Sequence, residues 1–137
     1  MTDRLQWVEG QLWSERYGDV YFPRDRGVEQ ARHVFLDGNR LAERFAALAP
    51  QAHFTIGETG FGSGLAFLCA WDLFARTAPP GARLHVLSTE LHPFEADEFA
   101  EALSPWAELA PLARELRAQL VSLPPAWHRC VFADGRV

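Results

Sequence analysis

Glu58-Thr59-Gly60-Phe61-Gly62-Ser63-Gly64 follows the short apolar run Phe54-Thr55-Ile56 and precedes an apolar stretch over residues 65–75. That order predicts strand, glycine loop, helix. Glycines at alternate positions let a backbone turn tightly and approach a ligand without Cβ obstruction, and the helix that follows is expected to aim free N–H groups and its positive dipole end at the bound molecule. A nucleotide-like ligand suits such a loop; a plain glycine-rich turn is the alternative. The dinucleotide fingerprint G-x-G-x-x-G fails in both frames, because Leu65 and Phe67 stand where a third glycine or alanine is required. The phosphate-binding P-loop fails as well, since no lysine follows these glycines.

The chain has 137 residues, 48% hydrophobic and 23% charged, which suits one globular core. Neither end reads as a signal sequence, and no apolar run approaches the roughly 18 residues needed to span a bilayer. A cytoplasmic location is the default expectation. Cys69 and Cys130 lack CxxC or Cys/His spacing, so both are expected to be buried thiols, with no metal site. The formal net charge of −5 argues against a broad basic footprint for nucleic acid.

Outward from the loop, residues 84–89 read as a second core strand ending at Glu90, which follows Gly64 by 26 residues. This is a βαβ unit. An acidic residue at the end of its second strand commonly accepts hydrogen bonds from a ribose, so Glu90 is a candidate for that role, against an ordinary solvent-facing carboxylate. Upstream, residues 5–12 suggest a hairpin around Glu9-Gly10, residues 18–23 a turn-rich aromatic segment, and residues 28–36 a helix. Asn39 is expected to cap a further helix carrying Leu41, Phe45 and Leu48 on one face, ended by Pro50. Downstream, Pro93 is expected to open a helix through Leu103, with Ser104-Pro105 and Ala110-Pro111 starting two more pieces that end near Leu120. Residues 129–133 suggest a third strand, and Asp134-Gly135 signals a hairpin turn with only Arg136 and Val137 after it. The sheet is therefore expected to be incomplete, as in a shortened chain; a small three-stranded domain is the alternative.

Three ordered stretches carry a resemblance: Gly18-Asp19-Val20-Tyr21-Phe22, the run from Gly27 to Asn39, and the run from Phe54 to Leu65. Together they resemble the methyltransferase domain of MnmC, the bifunctional family that modifies the wobble uridine of tRNA, and the stand-alone relatives of that domain. The residues around Trp127-His128-Arg129 and from Cys130 to Val137 look like the third-strand region of that family. The acidic-x-G-x-G-x-G loop is similar to the one that S-adenosylmethionine-dependent methyltransferases place after their first strand.

The resemblance implies an α/β, Rossmann-like methyltransferase fold of which the N-terminal part of the sheet is present. Residues 1–52 would form an N-terminal cap on the acceptor side, and residues 53–137 the first part of the cofactor-binding domain. It implies methyl transfer from S-adenosylmethionine to the aminomethyl group of 5-aminomethyl-2-thiouridine in tRNA, with this stretch binding cofactor at best. S-adenosylmethionine would lie over Glu58, Thr59, Gly60, Phe61, Gly62, Ser63, Gly64 and Leu65, its ribose on Glu90. Tyr21 is the catalytic candidate, with Asp19 and His33 behind it, and the main carboxylate is expected beyond Val137. FAD would belong to a fused C-terminal oxidoreductase domain, a candidate partner absent from this stretch. Ser63, Ala66 and Leu91 depart from the threonine, asparagine and lysine usual there. His33 is more simply a structural histidine, Arg26 and Arg32 solvated charges, and His85 and His92 too few for a metal. A small-molecule methyltransferase and an inactive scaffold are the rival functions.

Overall fold

The computed structural model describes residues 5–23, 25–120 and 123–137; the side chain of Phe22 lies outside what is described. The chain opens with an antiparallel meander of β1 (Leu5–Val8), β2 (Gln11–Ser14) and β3 (Asp19–Pro23). The hairpin expected around Glu9-Gly10 forms, both residues taking positive φ (51° and 79°) as a tight primed turn requires. A third strand, not foreseen, runs through the aromatic segment. Its closing Pro23 is tolerated because β3 is an edge strand.

Next come α1 (Gly27–Ala31), which continues as a π-helix over Arg32–Asp37, and α2 (Leu41–Ala46). Asn39 does not cap α2. Its side-chain amide donates to the Phe35 carbonyl at 2.8 Å, closing the helix before it, and Arg40 enters α2 from a left-handed conformation at φ 53°. The core unit is β4 (His53–Thr59), α3 (Leu65–Thr77) and β5 (Arg83–Thr89). β4 and β5 pair in parallel, in register from His53 opposite Arg83 to Thr59 opposite Thr89. Gly64, at φ 76°, admits the chain to α3, and Pro79-Pro80 follow its end, where no helical residue fits ahead of proline. α3 buries Leu65, Phe67, Leu68, Cys69, Ala70, Trp71 and Phe74, leaving Asp72 to pair with Arg76 at 2.9 Å.

After β5, α4 (Ala96–Leu103) begins three residues later than Pro93 suggested. A capping box sets the start: the Glu95 side chain accepts from the N3 backbone, and Glu98 accepts the Glu95 N–H at 2.7 Å. Ser104-Pro105 forms a turn, followed by a 3-10 turn at Ala107–Leu109 and α5 (Ala110–Leu120).

The third strand expected over residues 129–133 is not formed, so the parallel sheet has two strands among the described residues instead of three. A side chain supplies what a neighbouring strand would. Gln119 donates from Nε2 to the Val131 carbonyl at 2.6 Å and accepts the Val131 N–H at 3.1 Å, while Glu115 accepts the Ala133 N–H at 3.0 Å. The turn at Asp134-Gly135 is present, with Phe132 and Val137 exchanging both backbone bonds across it at 2.7 and 3.2 Å. Cys69 is buried as expected, but Cys130, outside any strand, is only partly so.

One apolar core joins α1, α2, α3, β5 and α5, centred on Phe45, Leu68, Trp71 and Phe74. Phe45 packs edge-on against both Phe54 and Phe74, at 5.0 and 5.1 Å between ring centroids, a geometry aromatic quadrupoles favour. A second cluster of Leu12, Phe94, Phe99 and Ala102 seats the meander on α4. The meander is thereby held over the C-terminal ends of β4 and β5.

Candidate functional site

Strand alternation sorts the residues of β4. Phe54, Ile56 and Glu58 share its half-buried face, and Leu84, Val86 and Ser88 the matching face of β5. Glu58 is thus the last residue of an otherwise apolar row, directly opposite Ser88 in the register. The Ser88 hydroxyl donates to Glu58 Oε2 at 2.7 Å. Burial pushes the Glu58 carboxyl above its ordinary range; the Ser88 hydrogen bond opposes the shift, and the charge of Glu90 adds to it.

The loop beyond β4 bends back onto the end of β5. Gly60 and Phe61 both donate N–H to the Thr89 carbonyl, at 2.8 and 3.0 Å. Gly62 donates to Glu90 Oε2 at 2.8 Å, and Glu90 Oε1 accepts the His92 N–H at 2.8 Å. Gly64 donates to the Phe61 carbonyl at 2.9 Å. The loop's own N–H groups are thus not free to meet a ligand, because these four donors are satisfied by the protein. What the loop presents is glycine backbone at close quarters and two carboxylates. Phosphates favour arrays of free N–H groups, whereas this end of the groove is suited to hydroxyl and cationic groups.

The three glycines differ in their surroundings. All have positive φ: 80° at Gly60, 54° at Gly62 and 76° at Gly64. A Cβ at Gly60 would enter open space, and one at Gly62 would make ordinary contact with Tyr21 Cε1 at 3.7 Å; both glycines line the groove. At Gly64 a Cβ would lie 2.9 Å from Phe61 Cζ and 3.0 Å from Leu116 Cδ2. Gly64 therefore serves the packing of loop on helix, and it is absent from the groove lining.

The groove has a volume of about 990 Å³ and runs between the meander, α1 with its π-helical extension, and β4 with its loop. It brings together Tyr21, Asp19, Glu58, Thr59, Gly60, Phe61, Gly62, Ser63, Leu65 and Glu90. Tyr21 reaches it from β3 and packs edge-on to Phe94, 5.3 Å away, an arrangement that fixes the ring over Gly62. Leu91, 80% exposed, and the half-exposed Val34 and Phe35 add apolar surface to the wall. Val34 and Phe35 entered the sequence reading only inside the run from Gly27 to Asn39, without a site role, and Ser88 was not singled out. The first two needed the π-helix to be known, and Ser88 needed the parallel register that sets it against Glu58.

Other candidates lie elsewhere. His33 is exposed and outside the groove, and Arg32 sits 3.8 Å from Asp72. His85 lies beside His53, with ring centroids 4.9 Å apart and planes inclined at 60°, and His92 lies beside Tyr17 at 5.8 Å. Among the described residues no group of three or more His, Cys, Asp or Glu side chains is placed to hold a metal ion, and no helix is long and apolar enough to cross a membrane.

No protein-family model matches the chain. Curated proteins do. The chain is 54% identical over 134 residues to the tRNA 5-methylaminomethyl-2-thiouridine biosynthesis bifunctional protein MnmC of Chromobacterium violaceum, a match covering 98% of the chain and 20% of that protein. The protein of the same name in Nitrosospira multiformis is 51% identical over 97% of the chain and 22% of its own length. That of Pseudomonas aeruginosa PAO1 is 53% identical over 98% of the chain and 21% of its own length. The chain thus spans about a fifth of the length of the curated relatives it matches. Over nearly its whole length, it is a homologue of one stretch of the MnmC bifunctional proteins.

Proposed function

We propose that the groove binds S-adenosylmethionine and that the chain is the cofactor-binding part of a transferase methylating the aminomethyl group of 5-aminomethyl-2-thiouridine in tRNA. The observation that carries the cofactor assignment is the loop chemistry. With the N–H groups of Gly60, Phe61, Gly62 and Gly64 already bonded and Glu58 and Glu90 both lining the groove, the site favours a cationic ligand bearing a ribose over a phosphate-bearing one. The relatives' name, which specifies tRNA 5-methylaminomethyl-2-thiouridine biosynthesis, supports the acceptor.

The residues fit that cofactor in kind. Glu90 offers about four acceptor positions on its two oxygens; two are taken by the Gly62 and His92 N–H groups, which leaves two for the ribose hydroxyls. Glu58 would hold the ammonium of the methionine end. When bound, the cofactor supplies an electrophilic methyl group on a sulfonium. The chain's part is to align and to exclude water: the glycines allow close approach, while Val34, Phe35 and Leu91 line the groove with apolar surface. Tyr21, across from Gly62, would orient the acceptor amine through its hydroxyl and relay its proton. Residues 1–52 then act as the acceptor-side cap on the cofactor unit of residues 53–137.

Calorimetry with S-adenosylhomocysteine and with ADP tests the cofactor. S-adenosylhomocysteine, the demethylated cofactor, is expected to bind and ADP not to compete; preferential binding of ADP would overturn the assignment. For the acceptor, Tyr21→Ala should slow methylation of aminomethyl-bearing tRNA with cofactor affinity nearly unchanged. A free small amine methylated as fast as that tRNA, with no loss in Tyr21→Ala, would move the substrate to the small-molecule class.

A further inference from the structure

We infer that Ser88 is a positioning residue for the amino-acid end of the ligand, acting through Glu58; this rests on the proposed S-adenosylmethionine reading. Ser88 is the direct cross-strand partner of Glu58 in the parallel pair, and its hydroxyl donates to Glu58 Oε2 at 2.7 Å. A carboxylate at the end of an apolar row, at the mouth of a groove, has freedom to swing. The hydroxyl removes it by fixing one oxygen, and Oε1 is left as the acceptor for the ligand's ammonium.

The same hydrogen bond opposes the burial that raises the Glu58 pKa, and so keeps the carboxyl charged at lower pH. The other ionisable groups lining this groove are Glu90 after β5, Tyr17, Asp19 and Tyr21 from the meander, and Arg44 from α2. Arg44 lies over the Phe54 ring at 4.7 Å, at the opposite end of β4 from Glu58, so no cation in this set competes with Ser88 for the carboxylate. Ser88 differs from Glu90 in its reach. Glu90 is tied to the glycine loop and serves the ribose, whereas the Ser88 hydroxyl bonds the acid that faces the cationic end.

The test compares S-adenosylhomocysteine with methylthioadenosine, which keeps adenine and ribose but lacks the amino-acid end, by calorimetry on the full chain between pH 5 and 8. Ser88→Ala is expected to weaken S-adenosylhomocysteine about tenfold, the loss of one charge-assisted hydrogen bond, while methylthioadenosine changes less than about twofold. The acid limb of the S-adenosylhomocysteine affinity should move to higher pH in Ser88→Ala and return in Ser88→Thr, which restores the hydroxyl. Equal losses for both ligands would make Ser88 merely structural and overturn the inference, as would an unshifted acid limb or no loss at all. Failure of the unsubstituted chain to bind either ligand would instead bring down the cofactor reading, and this inference with it.

Discussion

Replacing Glu90 tests the link between loop geometry and ligand, because one carboxylate does two jobs. It anchors the glycine loop through the Gly62 N–H and the start of the next segment through the His92 N–H, each at 2.8 Å. A hydrogen bond to a charged acceptor contributes about 1.5 to 3 kcal/mol when buried. Glu90 is half-buried, so water can replace part of what Gly62 and His92 lose, and the low end of that range applies to Glu90→Ala stability, about 1.5 kcal/mol for both bonds together. Binding should suffer more. The ribose acceptor disappears and the loop it met is freed, so affinity for S-adenosylhomocysteine is expected to fall by about 1.5 to 3 kcal/mol, roughly 10- to 150-fold.

Glu90→Gln separates geometry from charge. A glutamine has one acceptor oxygen and one donor nitrogen, so it can accept from Gly62 or from His92 but turns a donor toward the other. It should therefore fail to rescue, binding within about threefold of the alanine variant by the same account. Calorimetry gives the affinities, and amide exchange at Gly62, measured by NMR, reports whether the loop has come loose. Near-normal binding in Glu90→Gln with a protected Gly62 amide would refute the reasoning, since a neutral side chain would then be doing everything assigned to the carboxylate.

Gly64→Ala combines positive-φ strain with contacts to Phe61 and Leu116 near 3 Å, and should cost about 2 to 5 kcal/mol in denaturant unfolding; Gly60→Ala, in open space, should cost only about 1 to 2 kcal/mol. Equal losses would mean that the packing difference between the two glycines is not real. Phe45→Ala removes a fully buried ring wedged between Phe54 and Phe74 and should cost about 3 to 5 kcal/mol, read from the same unfolding curves. Glu58 gives a pH signature: its folded pKa lies above its ordinary value near 4.5, so its favourable contribution is complete below that value and is lost as pH rises through the folded pKa. Glu58→Gln should therefore gain thermal stability relative to the unsubstituted chain as pH goes from 4 to 7.5. A difference in melting temperature that stays constant or shrinks would contradict the burial of that carboxyl.

Much of this was legible in the sequence because it depends on local rules. Phe54 and Ile56 alternate, Gly60 to Gly64 break the pattern, and α3 shows the dense apolar content of a helix facing a sheet. What escaped depends on contacts between distant residues. The π-helix over Arg32–Asp37 arises where Asn39 reaches back to the Phe35 carbonyl, and no residue in the window announces it. The run Cys130-Val131-Phe132 has the composition of a strand, yet a strand exists only against a partner. Here the side chain of Gln119 occupies both backbone groups of Val131. The fate of the loop N–H groups was equally hidden, since Thr89 and Glu90 take them only once β4 and β5 are in register.

Register is what converts two strands into a site. Because His53 pairs with Arg83 and Thr59 with Thr89, β4 and β5 end at the same level, and the loop leaving β4 folds directly over the end of β5. Ligands of open parallel sheets collect at the carboxyl ends of the strands for this reason. A slip of one residue between the strands would keep the sheet paired but turn every side chain of β5 to the opposite face, taking Ser88 away from Glu58 and Leu84 and Val86 out of the apolar row. Glu58 would lose the Ser88 hydroxyl that holds it in this register, and Glu90 would move a residue away from Gly62. The apolar rows Phe54-Ile56 and Leu84-Val86, packed on the α3 core, exclude that slip by burial. The hydrophobic pattern of the strands thus fixes not only the fold but the spacing between the two carboxylates on which the proposed chemistry depends.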